Sequence, residues 1–452
     1  MKSKPFNGAC TIGDSTPNRG ERSNDVPIII VGAGPVGLML AVLLAGKNIS
    51  SVVIEKNEQL DSTPRALLHY PPTLDVFKTA GIYDTVLGHG LISRGIHYRK
   101  RLDCTNKDNP SLGESVALLE TTKPQPDGRL DETKCAVAYA QSLLSKLLLQ
   151  KAVESKLVQV HFDAKVTKLE EDVHGITVFV DTAQGNQTMR AQYLAACDGG
   201  RSTIRNLLGI QFTGFTWPGR LLATDVERTI TEVEDIPSYY VIDRAEWAVV
   251  TPMEPVYPGK PAMWRYAFPI TDESLTDEEV NDKEYVKKQL LKYIEGPRPG
   301  NHVLVQNRTW KIHQLQAATM HRGRVVLAGD AAHLNNPVGG YGLNTGLLDA
   351  DLLHNVFDQI FNESYHDPHE LLAEYSAARR SVFQNVVIPL TYAGKIRLHE
   401  NDPDRAIKED WYFRMLRRGN PVEIAKAHEP LRHWRTNVQD IMTTQNTNEI
   451  AS

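Results

Sequence analysis

Two glycine clusters carry the chemistry legible in this sequence. "VGAGPVG" sets Gly32, Gly34 and Gly37 at GxGxxG spacing. In that pattern the first glycine permits a tight turn, the second lets a pyrophosphate approach bare backbone, and the third lets a following helix pack closely. Glu55 follows at the separation where an acid accepts hydrogen bonds from ribose hydroxyls. Far along the chain, "RVVLAGDAAHLNNPVGGYGLNTG" runs from Arg324 to Gly346. It carries an apolar run to Gly329 and Asp330, then sets Gly339, Gly340 and Gly342 at the opening of a helix. An opening stripped of side chains lets backbone N–H groups touch a flat, electron-accepting ring. The positive end of the helix dipole stabilises negative charge on that ring once it is reduced.

Each cluster needs a strand to deliver it and a helix to receive it. Val26–Val31, "VPIIIV", is short, β-branched and without alternation, the pattern of a parallel strand buried on both faces. The spacing predicts a helix over Val36–Ala45, whose free N–H groups face the phosphates, and a second strand, "SSVVIE", ending at Glu55. "RVVLAGD" repeats the strand-to-turn pattern before the helical "GGYGLNTGLLDADLLHNVF". Between the two, "AQYLAAC" runs into "DGGRSTIR", so a strand delivers Asp198 to a loop and Ser202 is suited to cap the helix that carries Arg205. Leucines at helical spacing predict a further helix over Val137–Ser155. A single GxGxxG does not separate NAD from FAD. One turn for a pyrophosphate and another for a redox ring fit the two ends of FAD, and NAD alone would not require the second. The uncharged stretch Pro27–Gly46 is long enough to cross a bilayer. A buried strand, turn and helix account for its glycines and for the acid beyond it, so no transmembrane segment is expected.

From 207 the texture changes. Prolines and aromatics become frequent, and "SYYVID", "EWAVVTP" and "AMWRYAFP" read as sheet strands. The expected architecture is α/β: a Rossmann-like FAD-binding domain in two parts (26–206 and 310–357), an inserted, mainly β-sheet substrate domain (207–309) and C-terminal helices (358–442). A polar leader (1–25) and tail (443–452) read as disordered. With 452 residues, 41% of them hydrophobic, the chain can bury more than one core. A net charge of -5 makes no electrostatic case for nucleic acid or an anionic membrane. The 15 histidines show no metal-like spacing. Cys10, Cys104, Cys135 and Cys197 form no CxxC pair, so the expectation is no metal, no disulfide framework and a reducing, cytoplasmic location.

Three motifs now stand in order: GxGxxG at Gly32–Gly37, DGxxSxxR at Asp198–Arg205, and GD with HxxxPxGGxGxN at Gly329–Asn344. Together they resemble those of the group A flavoprotein monooxygenases, the para-hydroxybenzoate hydroxylase-like family, over Val26–Phe357. The resemblance implies that Glu55 binds the adenosine ribose, Arg65 contacts the flavin region, Gln141 lies near the ribityl chain and Asp330 holds a ribityl hydroxyl. It implies that Gly342, Leu343 and Asn344 contact the isoalloxazine and that Pro337 sits beside its oxygen-reacting face. Asp198 and Arg205 belong to a motif linked in the family to both FAD and NAD(P)H. The chain departs where the family often has two prolines before the paired glycines, since the first is Asn336 here; that puts the local backbone in question. The family's phenolate-binding set is not reproduced. Arg265 and Tyr266 fall on a strand resembling the family's Arg-aromatic strand above the flavin, and are the expected pocket residues.

With one fingerprint, a nicotinamide donor has no Rossmann domain of its own, as in that family. The resemblance implies that NADPH or NADH reduces FAD and that the reduced flavin adds O2 as a C4a-hydroperoxide. The distal oxygen then passes to a phenol-like aromatic or polycyclic ring. The cofactor supplies the hard chemistry, while the protein excludes water and places the target carbon. A base that makes phenolate helps; Tyr239, Tyr240, Tyr266 and His97 are candidates among which the sequence does not choose. An epoxidising or Baeyer–Villiger reaction is the alternative on this scaffold, although no FxGxxxHxxxW stretch occurs. A redox-regulated interaction protein is the alternative of another class. The short C-terminal region and aromatic middle resemble monooxygenases that tailor secondary metabolites. Expected partners are a small aromatic substrate, O2 and NAD(P)H, without nucleic acid, in a monomer or homodimer.

Overall fold

Val26–Val31 lies inside the first sheet because its isoleucines leave no face for water: Ile28, Ile29 and Ile30 are fully buried. The computed structural model describes residues 26–127, 129–300, 302–399 and 402–442. The leader and tail read as disordered, and Cys10 with them, lie outside the described residues. The first sheet runs His321–Arg322, Val325–Leu327, Gly185–Ala196, Val26–Val31, Ser51–Ile54, Val158–His161. Every pairing from Val325–Leu327 to Val158–His161 is parallel. Parallel pairing sets the C-terminal ends of Val325–Leu327, Gly185–Ala196 and Val26–Val31 along one edge. The turns that follow them, at Asp330, Asp198 and Gly32, therefore converge where open α/β sheets bind ligands. Helices Pro35–Gly46 and Tyr341–Phe361 pack together on this sheet, burying Leu38, Leu40, Leu347 and Leu348 completely.

The second sheet has eight strands among the described residues, ordered His333–Leu334, His302–Ala317, Phe212–Thr229, Pro261–Ile270, Ala248–Pro252, Tyr239–Val241, Gly95–Arg99, Ser115–Glu120. Its span does not coincide with 207–309. Gly95–Arg99 and Ser115–Glu120 come from within the first part of the chain, and the strand from His302 runs on to Ala317. The join is the parallel pairing of Tyr239–Val241 with Gly95–Arg99, a long-range contact that no local turn signal announces. One face of this sheet carries its own core, with Trp264, Tyr266 and Phe268 against Val286 and Leu290 of helix Lys283–Leu290. The other face turns toward the first sheet.

The helix expected over Val137–Ser155 starts at Gln141 instead. Ala136–Ala138 is a strand, paired on both sides by Leu68–His69 and Leu91–Ser93 in a small third sheet. Partners on both sides outweigh a leucine periodicity that begins only at Leu143. After Phe361 come helices Pro368–Val382 and Ile388–His399, joined by a π-turn at Phe383–Val387. Among the described residues no helix is long and apolar enough to cross a membrane.

Candidate active site

Gly32 turns with φ +107°, and a Cβ there would lie 2.4 Å from the Cys197 carbonyl oxygen. A Cβ at Gly37 would lie 2.1 Å from the Gly32 oxygen, so the helix rests on the turn itself. Gly34 differs: nothing lies within 4 Å of the place its Cβ would take, and that space belongs to a cavity. Helix Pro35–Gly46 opens onto it with no side-chain cap. Glu55 Oε2 accepts from the Ala33 amide at 2.9 Å, and Oε1 from the amide and Nδ2 of Asn57 at 2.9 and 2.6 Å. These bonds hold the carboxylate at the cavity wall with lone pairs to spare.

Asp198 lines the same cavity and accepts from Ser202 Oγ at 2.5 Å and from the Ile204 amide at 3.1 Å. Ser202 caps helix Thr203–Leu207, as its position suggested, by accepting from the Arg205 amide at 2.9 Å. Arg205 itself does not reach the cavity. Its guanidinium lies 3.8 Å from the Phe212 ring centroid and donates to the Ala331 and Gly200 carbonyls, both at 2.9 Å. Through these bonds Arg205 ties the Asp198 loop to the Asp330 turn.

Asp330 is exposed, but to the cavity. Among the described residues no group donates a hydrogen bond to its carboxylate. The protein surrounding it raises its pKa against the pull of Arg65 and His333. Beneath the turn, the buried Asp349 accepts from the Gly329 amide at 2.9 Å, from His333 Nε2 at 2.7 Å and from Arg379 Nε at 2.7 Å. Sequence reasoning passed over Asp349; its one signal was that it and Asp351 stand as acids among the leucines of a helical stretch.

At the paired glycines, Asn336 shapes the backbone where a proline often stands. Its Oδ1 accepts from the Val338 amide at 3.1 Å, and its own amide and Nδ2 both donate to Gln314 Oε1 at 3.3 Å. Pro337 lines the cavity, and its carbonyl accepts from the Gly340 amide at 3.0 Å. Gly340 then caps helix Tyr341–Phe361 in the left-handed conformation, φ 69° and ψ 26°. Gly342 and Leu343 also line the cavity. The Asn344 side chain does not, which leaves its backbone N–H as the group for the expected ring contact. The side chain donates to the Leu68 and Gly340 carbonyls, both at 2.8 Å, and accepts from the Tyr70 amide at 3.0 Å.

Gln141, at the start of its helix, and Arg65 complete this half of the wall. Arg65 donates to Asp61 at 3.1 and 3.0 Å, and Arg308 shares the same acid at 3.1 Å. Burial pushes Asp61 upward, but hydrogen bonds from Thr63 and the charge of Arg65 outweigh it and hold the pKa at about 2.

Strand alternation decides the other half. Pro261–Ile270 turns Arg265 and Ala267 inward and Tyr266 outward into the separate core. Tyr239–Val241 turns Tyr240 inward and Tyr239 outward. Tyr266 Oη accepts from Arg228, and Tyr239 Oη donates to the Tyr293 carbonyl at 3.3 Å. Both tyrosines expected at the pocket are therefore core residues. His97 faces Glu234 at 3.8 Å, off the cavity wall. Arg265 makes a two-pronged pair with Asp225 at 2.7 and 2.8 Å and donates to the Arg65 carbonyl. Trp247, one of the aromatics of the middle region, lines the inner face; sequence reasoning missed Trp310 and the hydroxyl pair Ser238–Thr251, 2.7 Å apart, which line it too. The cavity from Gly34 to this face holds about 1410 Å³, against ~300–1,000 Å³ for an ordinary small-molecule site.

Residues 25–388 match the family model for an FAD binding domain. Over 388 residues the chain is 30% identical to the para-nitrophenol 4-monooxygenase of Pseudomonas sp. strain WBC-3, covering 86% of this chain and 91% of that one. The chain belongs to the group A FAD-dependent aromatic monooxygenases. This monooxygenase is also 27% identical, over 385 residues, to the 6-hydroxy-3-succinoylpyridine 3-monooxygenase HspB of Pseudomonas putida, covering 85% and 91%. The crystal structure of p-nitrophenol 4-monooxygenase PnpA from Pseudomonas putida superposes on it with a TM-score of 0.79 at 27% identity, covering 91% of this chain and 98% of that one.

The monooxygenase's own geometry fits FAD. The open space at Gly34 suits a pyrophosphate, the Asp330 carboxyl, without a donor among the described residues, suits a ribityl hydroxyl, and the start of helix Tyr341–Phe361, capped by Gly340 without a side-chain hydrogen bond, suits the ring. One cavity joins all three. No group of metal-ligating side chains occurs among the described residues.

Proposed function

We propose that this monooxygenase uses NAD(P)H and O2 to hydroxylate a phenol-like aromatic or polycyclic small molecule. The observation that carries the reading is the single cavity that joins the glycine turns to the aromatic inner face of the second sheet. FAD, when bound, supplies electron transfer and oxygen activation. The chain's residues do the rest. The Gly32–Gly37 turn and Glu55 hold the adenosine diphosphate half; Asp330 and the amides of Gly342 and Leu343 hold the flavin half. Tyr240 and Trp247 wall the substrate chamber and keep water out. Burial pushes the Tyr240 phenol far up, so it donates hydrogen bonds and does not serve as a base. His313 is the histidine on the cavity wall. Its Nδ1 meets Thr216 Oγ1 at 2.9 Å, and burial lowers its pKa, leaving a neutral ring whose Nε2 accepts a phenolic proton. A role in secondary metabolism is part of this proposal and rests on the aromatic inner face of the second sheet.

The test is NADPH- or NADH-dependent oxygen uptake by the FAD-loaded protein across phenols and fused-ring phenols, with products weighed for one added oxygen. A compound that accelerates uptake and gains oxygen supports the reading. Flavin that dithionite reduces but NAD(P)H does not, with any compound present, overturns the external-donor cycle in favour of a redox partner. In the active enzyme, His313→Gln should remove the acid limb of the kcat/KM profile.

A further inference from the structure

The inner face of the second sheet holds its central charge in a closed pair. Register aligns one row across it, Arg308, Ala223, Ala267, Val249 and Tyr240, and the next holds Gln306, Asp225, Arg265 and Thr251. The first row gives a ring a low apolar floor. In the second, Arg265 is the cation nearest the middle of the sheet, and it is not free. Asp225 takes both its Nε and an Nη at 2.7 and 2.8 Å, and Gln306 Nε2 adds a third donor to Asp225 at 2.8 Å. The Asp225 side chain is 2% exposed and that of Arg265 9%, so the pair neutralises itself away from solvent. Two other arginines of this sheet line the cavity. Arg220 pairs with Asp277 at 2.8 Å, while Arg308 shares Asp61 with Arg65, at 3.1 and 3.0 Å, so one positive charge stays unbalanced there. Lys311, the remaining cation of that wall, is exposed to water.

We infer that Asp225 is a specificity-determining residue: by closing Arg265 it reserves the chamber for uncharged aromatic substrates and excludes those bearing a carboxylate. A carboxylate entering here meets a guanidinium whose fork is already filled and must desolvate beside the buried Asp225 charge. An uncharged polar group on the substrate needs only a hydrogen-bonding partner there, which the Ser238–Thr251 hydroxyl pair supplies at the same wall. This inference rests on the proposed aromatic chamber but not on turnover, because binding alone reads it.

The experiment titrates FAD-loaded enzyme with matched amide and acid pairs, salicylamide with salicylate and 4-hydroxybenzamide with 4-hydroxybenzoate, following the flavin absorption change. It adds benzoate titrations of wild type and Asp225→Asn, which opens Arg265 while keeping side-chain volume. The expected result is at least tenfold tighter binding of amide than acid to wild type, and at least tenfold tighter benzoate binding to Asp225→Asn than to wild type. Acids that bind wild type as tightly as their amides overturn the inference, as does a folded Asp225→Asn with no gain for benzoate. If Asp225→Asn fails to fold, the wild-type amide-to-acid ratio decides. Oxygen uptake measured on the same samples separates a failure of this inference from a failure of the hydroxylase reading.

Discussion

The glycines of the first turn separate two kinds of damage that a single substitution usually mixes. At Gly37 an added methyl meets the Gly32 backbone oxygen at 2.1 Å, and backbone cannot step aside. Gly37→Ala should cost ~1–3 kcal/mol or more of folding free energy, as forced overpacking does, and lower the melting temperature with or without FAD. At Gly34 the methyl meets only cavity. Gly34→Ala should leave the unliganded melting temperature at the wild-type value and weaken FAD roughly tenfold, ~1.4 kcal/mol, read by fluorescence titration. Equal loss of stability in both variants would refute this division. The tyrosines offer a parallel test. Tyr266→Phe removes an acceptor from the buried Arg228, which keeps Glu295 at 2.5 Å. It should cost ~1–3 kcal/mol and leave steady-state kinetics unchanged. Tyr240→Phe should preserve stability and shift KM or the fraction of NAD(P)H coupled to product.

At the scale of elements, the helix Tyr341–Phe361 is held at its working position by charge buried beneath it. Asp349 binds the Gly329 turn, His333 and Arg379, and Arg379 continues to the Trp434 carbonyl at 2.8 Å. Trp434 Nε1 returns to Thr345 Oγ1 at 3.0 Å, closing a loop of bonds between this helix, Pro368–Val382 and the C-terminal segment. Asp349→Asn leaves Arg379 charged and unpaired in the interior, which typically costs ~3–5 kcal/mol. Urea unfolding should show that loss, with faster FAD release because the Asp330 turn loses its anchor; an unchanged midpoint would refute it. These elements also show what the sequence reveals. Strands, turns and helices with local signatures were legible: Val26–Val31, the Ser202 cap and the glycine-opened helix lie where periodicity and turn chemistry put them. What stayed hidden depends on partners. Arg265 and Tyr266 are neighbours on one strand and face opposite ways, and alternation alone does not say which parity meets the cavity. Ala136–Ala138 became a strand because two others flank it. Asn344 and Arg205 sit within ligand motifs, yet their side chains hold loops in place, a distinction that hydrogen-bond partners make and spacing does not.

Across the whole molecule, buried histidines set the response to acid. His69 is fully buried in the small third sheet, its Nε2 at 2.9 Å from the Tyr139 carbonyl and its ring 5.1 Å from that of Phe77. Burial lowers its pKa from 6.5 to about 4, against a smaller upward pull from Tyr139. His161, His354 and His428 are lowered by burial too. As pH falls through 6.5 the unfolded chain takes up protons that the folded chain refuses, so folding free energy drops until the folded pKa is reached. For His69 alone that window, about 6.5 to about 4, spans on the order of 3 kcal/mol. Asp61, held at about 2, adds a loss of the same sign at still lower pH as its carboxyl is protonated. The position of His69 gives the loss a functional edge, since its neighbour Leu68 offers the carbonyl that Asn344 grips in the first turn of helix Tyr341–Phe361. The expected outcome is a urea midpoint that is highest at pH 7 and above and falls steeply toward pH 5, with bound FAD lost in the same range. Running the series with FAD in excess separates cofactor release from unfolding. His69→Gln keeps a donor for the Tyr139 carbonyl and cannot take up a proton, so its midpoint should depend less on pH while remaining close to wild type at pH 7.5. A midpoint independent of pH between 7.5 and 5 in the wild-type protein would show that protonation of these rings is not coupled to the fold.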